Sequence, residues 1–216
     1  MTNPFSPLWR QRTLVYELTK RDIHGRYRGA SFGMLWTLIT PFLMLCIYTL
    51  AFGFVFNSRW PGATGARGEF ALILFVALIV HGFFNECFAR APNLVLANPN
   101  FVKRVVFPLE ILPWPMIGSA LFHTFANVLV LLAMMLIVGY PVHWTILLLP
   151  LVLLPLVLMM LGLGWVLSSL GVYFRDIGQI TSVASTAMLF LSSAFVPLQQ
   201  LPPAYAQLFR INPLTF

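Results

Sequence analysis

"RDIHGRYRGASFGMLWTLITPF", Arg21 to Phe42, changes character halfway along. Its first eight residues hold four charged side chains and a histidine, and no charge follows Arg28 as far as Phe42. An uncharged run that continues beyond this point is long enough to enter lipid, whereas the basic half belongs with anionic headgroups. The bulk composition agrees. The 216 residues are 59% hydrophobic and 9% charged, with mean hydropathy +0.86. A soluble domain carries roughly 25% charged residues, so this chain lacks the polar surface to stay in water.

Five apolar runs are long enough to predict membrane spans: Phe32–Phe56, Phe70–Phe88, Val105–Val138, Thr145–Val172 and Ile180–Val196. They are continuous and do not alternate as barrel strands would, so the predicted fold is all-α, a polytopic helical membrane protein. Two regions are expected, a cytoplasmic N-terminal interfacial helix over 1–31 and a transmembrane permease domain over 32–216. Basic residues fix the orientation. Ten of the 13 Lys and Arg fall in the N-terminal segment and the second and fourth loops, against three in the others. That places the N-terminus in the cytoplasm. Within Leu14–Arg28, Leu14, Val15, Leu18 and Ile23 are expected to dip into lipid, with Gly29 and Gly33 turning the chain into the first span and Trp36 at headgroup depth. Five spans leave the C-terminal stretch "LFRINPLTF" outside, and a sixth span is expected beyond it.

Several chemistries are excluded. The two lysines, Lys20 and Lys103, do not follow a glycine, so the chain has no P-loop for ATP. There is no H-E-x-x-H, and no Cys/His cluster with metal-ligand spacing, so no metal is expected. Cys46 and Cys87 read as apolar residues and not as a disulfide. The basic residues lack aromatic interleaving, which excludes nucleic acid as a partner. No catalytic residue is expected, because Glu86 and Glu110 do not obviously converge with a histidine.

Other polar groups invite two readings each. Glu86 and Arg90 are four residues apart on the second span and can pair, either to ease burial or as a gate. The fifth run carries hydroxyls, Ser185 and Ser192 among them, on one arc that suits helix packing or a translocation path. Tyr48, Phe52 and Phe56 form an i, i+4, i+8 stripe facing lipid or, with Trp36, lining a path for sugar rings. The loop "ARAPNLVLANPNFVKRVVFPLEILPWP" is too patterned for a connector and reads as a docking surface for a cytoplasmic partner or as a surface-lying helix. "YFRDIGQI", with Arg175 and Asp176, is a second docking point.

Four stretches occur in a telling order: "LTKRDIHGRYRGASFGMLWTLITPF", "NPNFVKRVVFPLEILP", "FRDIGQI" and "PLQQLPPAYAQLFRINPLT". Over essentially the whole chain they resemble the type 2 ABC exporter permease family, in its branch exporting O-antigen, capsule or teichoic acid. The resemblance implies a six-span subunit of the bacterial inner membrane. It implies work as a homodimer, with a separate cytoplasmic ATPase that holds ATP and magnesium. The cargo implied is a polyprenyl-diphosphate-linked glycan. Pro92–Phe107 would carry the element seated in the ATPase, with Asn98, Lys103, Arg104, Phe107, Arg175 and Asp176 as coupling residues. Leu201–Leu214 would form re-entrant helices at the outer mouth. Arg21, Arg26 and Arg28 would attract the lipid diphosphate, since guanidinium pairs well with phosphate. Where relatives often have Ser-Pro late in the fifth span, this chain reads Ser192–Ser193–Ala194. The competing readings are an exporter permease for a drug or small lipid, with the same fold, and a membrane-embedded lipid-modifying enzyme.

Overall fold

The computed structural model describes residues 9, 11–55, 69–102, 107–142, 144–195, 202, 207 and 209–215, apart from the side chains of a few of them. Most of these residues are helical, with no strand among them. Helix α1 is Arg12–Arg26 and α2 is Trp36–Tyr48, preceded by a 3₁₀ turn at Gly33–Leu35 and prolonged by a π-helical segment, Thr49–Val55. Helix α3 is Glu69–Arg90, and a 3₁₀ turn, Ala91–Asn93, follows it directly. Then come the single turn α4, Pro99–Val102, and α5, Pro113–Val138. Helix α6 is Leu149–Tyr173 and α7 is Ile177–Phe190.

Four stretches are long and apolar enough to cross a membrane: Gly33–Val55, Glu69–Asn93, Leu109–Val138 and Trp144–Tyr173. The protein is a multi-pass helical membrane protein. The differences from the expected spans are local and have causes. Pro108 is extended (φ −75°, ψ 104°), and the third span is described from Leu109, whereas Val105 lies outside the described residues. The helix in the fifth run starts earlier than expected, because the Asp176 carbonyl accepts from the Gln179 and Ile180 amides and opens α7 there. It also ends earlier, at Phe190, with turns over Leu191–Phe195. Gly29 and Gly33 take φ of +87° and +49°, conformations that favour glycine, and so make the turn after α1.

The chain divides into two compact units. Unit 1 comprises Met1–Met34, Phe83–His123 and Leu147–Ser185; unit 2 comprises Leu35–Gly82, Thr124–Ile146 and Thr186–Phe216. Unit 2 has an apolar centre of Leu45, Leu72, Phe75, Ile79 and Leu131, with Tyr48 and Val128 packed against it. The Asn212 side chain donates to the carbonyls of Met188 (2.7 Å) and Leu191 (3.0 Å), capping the end of α7. In unit 1 the Ala91–Asn93 turn lies against α6. A Cβ on Gly171 would collide with the Pro92 carbonyl, and one on Gly178 would come 3.3 Å from the Asn93 amide nitrogen. Trp165 reaches back to donate to the Glu110 carbonyl at 2.9 Å.

Protein covers part of the apolar face of helix α1. Leu18 and Ile23 are buried within unit 1, and Leu14 and Val15 are half-buried. A Cβ on Gly118 of α5 would come 2.9 Å from the Thr19 side chain, so the two backbones approach closely.

Candidate functional site

Three helices of unit 1 each contribute a polar pair spaced i, i+4, the spacing that stacks side chains on one helix face. On α1 the pair is Asp22 and Arg26. On α3 it is Glu86 and Arg90. On α5 it is Ser119 and His123. The pairs interlock in two layers.

In the first layer Arg90 Nη2 meets both Asp22 carboxylate oxygens, at 2.7 and 2.6 Å. Ser119 Oγ lies 2.6 Å from Asp22 Oδ2, 3.0 Å from the Met116 carbonyl, and 3.1 Å from Arg90 Nη1, which donates to it. Ser119 itself is fully buried. In the second layer Arg26 Nη1 stands 2.8 Å from Glu86 Oε1 and 2.9 Å from His123 Nδ1. His123 Nδ1 is also 2.9 and 3.0 Å from the two Glu86 oxygens. Arg90 Nη1 reaches Glu86 Oε1 at 3.3 Å and ties the layers together. The Tyr27 and Phe122 rings meet His123 edge-on, with centroids 6.1 and 5.8 Å away.

The contacts also fix direction. Asp22 with Arg90 and Arg26 with Glu86 make α1 antiparallel to α3. Asp22 with Ser119 and Arg26 with His123 make it run in the same sense as α5. Charged groups beside apolar helices are costly unless paired, and here each carboxylate meets a guanidinium. A cleft of about 470 Å³ opens beside the layers, lined by Arg21, Asp22, Gly25, Arg26, Arg90 and His123. Three guanidiniums against one carboxylate give its wall an excess of positive charge, suited to an anion.

Arg21 lies over the Phe101 ring, 5.3 Å from its centroid, and Phe101 stacks on Phe107 at 4.3 Å. Arg28 is exposed after α1. The Asn98 side chain donates to the Leu94 carbonyl at 2.9 Å, closing the loop on itself. Arg175 and Asp176 are exposed between α6 and α7, while Lys103 and Arg104 lie outside the described residues. In unit 2 Trp36 is half-buried, Tyr48 packs on the apolar centre and Phe52 lies 5.4 Å from the Phe70 ring. Phe56 lies outside the described residues. Ser185, in unit 1, is buried and bonded to Asn85 Oδ1 at 2.7 Å. Ser192, in unit 2, is buried and bonded to the Leu189 carbonyl at 2.7 Å.

The expectation that Glu86 converges with no histidine is corrected by the contact with His123. Asp22, Ser119 and His123 escaped the sequence reading because their partners lie 29 to 97 residues away. A signal was present all the same, in the matching i, i+4 polar spacing on three segments.

The chain belongs to the ABC-2 type transporter family, whose description matches residues 13–216. It is 26% identical over 209 residues to the O-antigen export system permease protein RfbA of Myxococcus xanthus, covering 96% of this chain and 78% of that protein. It is 27% identical over 209 residues to the polysialic acid transport protein KpsM of Escherichia coli, covering 94% and 78%. It is 26% identical over 197 residues to the capsule polysaccharide export inner-membrane protein CtrC of Neisseria meningitidis serogroup B, covering 89% and 71%. Membership of this family implies a partner ABC ATPase subunit.

Proposed function

We propose that this ABC-2 type chain is the membrane permease subunit of an exporter that moves polysaccharide across the bacterial inner membrane. The observation that carries the reading is the near full-length similarity to three differently named export proteins, all concerned with surface polysaccharide. The chain is a transport subunit and not an enzyme. ATP and magnesium belong to the partner ATPase, which supplies the work of hydrolysis. Neither the small-lipid exporter nor the lipid-modifying enzyme is favoured by these relatives.

The N-terminus and α1 lie on the cytoplasmic side, as the distribution of basic residues supports. The cargo is a glycan on a polyprenyl diphosphate, and its phosphates are drawn to the cleft beside Arg21 and Arg26, with Arg28 nearby. Two copies of the chain form the path. The loop from Pro92 to Phe107 and the Arg175–Asp176 turn dock the ATPase, and the stacked Phe101 and Phe107 give that loop a firm base. Deleting the gene in its own organism tests the reading. Surface polysaccharide is expected to fall while lipid-linked polysaccharide accumulates inside. Undiminished surface polysaccharide in a strain with no second exporter would overturn it.

A further inference from the structure

The two guanidiniums of the layered cluster are not held alike. Arg90 makes a two-oxygen contact with Asp22, a bond to Ser119 and a third contact with Glu86, which fixes its planar head from three sides. Arg26 uses one terminal nitrogen, and its side chain is 52% exposed on the wall of the cleft. A guanidinium carries five N–H donors, so most of its capacity remains for an anion in that space. Glu86, in contrast, is oversupplied. Arg26, Arg90 and His123 all converge on Oε1 of a side chain that is only 12% exposed.

His123 decides what happens if Arg26 leaves. Its Nδ1 sits within hydrogen-bond distance of both Arg26 and Glu86. It can accept from the first or donate to the second, not both at once. The other ring nitrogen, Nε2, is buried and has no hydrogen-bond partner among the described residues. A buried N–H without a partner is rarer than a bare acceptor lone pair, so the proton belongs on Nδ1, facing the Glu86 carboxylate. That bond stands without Arg26.

We propose that Arg26 is an exchangeable cation: a phosphate group entering the cleft draws it from Glu86, while His123 keeps the abandoned carboxylate bonded through its Nδ1 proton. The inference rests on the reading that phosphates enter beside Arg21 and Arg26. His123 is a positioning residue in this scheme and does not touch the ligand. One anion replaces another on Arg26, so the exchange leaves no buried charge bare. Arg90 and Asp22 hold the helices together throughout.

The test measures binding of inorganic pyrophosphate by calorimetry to the full chain, with its ATPase, in phosphatidylcholine nanodiscs. Arg26→Ala is expected to weaken binding by roughly tenfold, as loss of a charge-assisted phosphate contact does. Glu86→Gln removes the competing anion and is expected to tighten it by about threefold, the scale of a partly exposed ion pair. His123→Leu is expected to weaken it by a similar factor, and His123→Asn, which can place an N–H near the Nδ1 position, to restore it. In the Glu86→Gln background His123→Leu is expected to have no effect. Unchanged binding in Arg26→Ala would overturn the phosphate entrance and this inference together. Weakened binding in Arg26→Ala with no gain in Glu86→Gln would overturn the exchange alone. Should Glu86→Gln not assemble, the histidine variants decide, and equal affinity in His123→Leu and wild type overturns the exchange. Discs doped with a polyprenyl diphosphate are expected to suppress pyrophosphate binding. Undiminished binding there would overturn the lipid headgroup as the ligand.

Discussion

The two units differ in the contacts at their centres. Unit 1 joins α1, α3 and α5 through Asp22, Arg26, Glu86, Arg90, Ser119 and His123, a set of charges and hydrogen bonds. Unit 2 is centred on Leu45, Leu72, Phe75, Ile79 and Leu131. In lipid, apolar packing gains little from water exclusion, because separated helices meet hydrocarbon instead of water. What remains is shape and dispersion, which no solute readily disturbs. Ion pairs between helices are directional, and an outside ion can compete for them. The contrast assigns permanence to unit 2 and responsiveness to unit 1, beside the charged cleft.

The comparison can be broken at several points. Arg90→Ala is expected to do most damage, removing the cation shared by Asp22, Glu86 and Ser119. It should destabilise the detergent-solubilised protein by about 2–4 kcal/mol, the range for stripping one partner from a partly buried pair. The fraction surviving heating on gel filtration measures this, and a loss no larger than that of an exposed charge would refute the central place given to Arg90. Gly171→Ala comes next. Its methyl would run into the Pro92 carbonyl and is expected to cost about 1–3 kcal/mol through overpacking, seen in the same assay.

Leu45→Ala probes the other side. Leu45 is fully buried, yet a cost of about 1–2 kcal/mol is expected, at the low end for such a deletion, since lipid makes the transfer part small. The decisive reading is salt dependence. Raising ionic strength shortens the screening length from about 10 Å at 0.1 M to about 3 Å at 1 M. Added salt should lower the midpoint of wild type and of Leu45→Ala by the same amount, and that of Arg90→Ala by less. Equal salt sensitivity in all three would erase the distinction between the units. Phe101→Leu is the mildest change. It removes the ring beneath Arg21 and should cost about 0.5–1 kcal/mol, detected as increased protease access to the loop and not as a shifted midpoint.

Much of the architecture was legible in the sequence because lipid imposes a length requirement that composition alone satisfies. The four long spans followed from uninterrupted apolar runs; most ends fall within a residue of those expected, while the second runs on past Arg90 to Asn93 and the third is described from Leu109, after the extended Pro108. The site was legible only in its local part. Glu86 and Arg90 sit one turn apart and announce their own contact. His123 and Ser119 lie on an apolar helix, and nothing local tells which distant carboxylate each will meet. The Leu14–Arg28 segment shows a related limit. Its hydrophobic residues marked a face to be covered, but hydrophobicity does not distinguish lipid from the neighbouring helices that bury Leu18 and Ile23.

The two-layer pairing also works as a key that allows one register. Suppose α1 slid along α3 by one helical turn, about 5.4 Å. In one direction Arg26 would come opposite Arg90; in the other, Asp22 would come opposite Glu86. Either step sets like charges face to face beside lipid, where repulsion is poorly screened. Ratcheting by a turn, one of the ways packed helices move past each other, is therefore closed to this joint. Whatever drives the helix can tilt it about the fixed Asp22–Arg90 contact or lift it clear, and the exposed Arg26 end is the one free to swing.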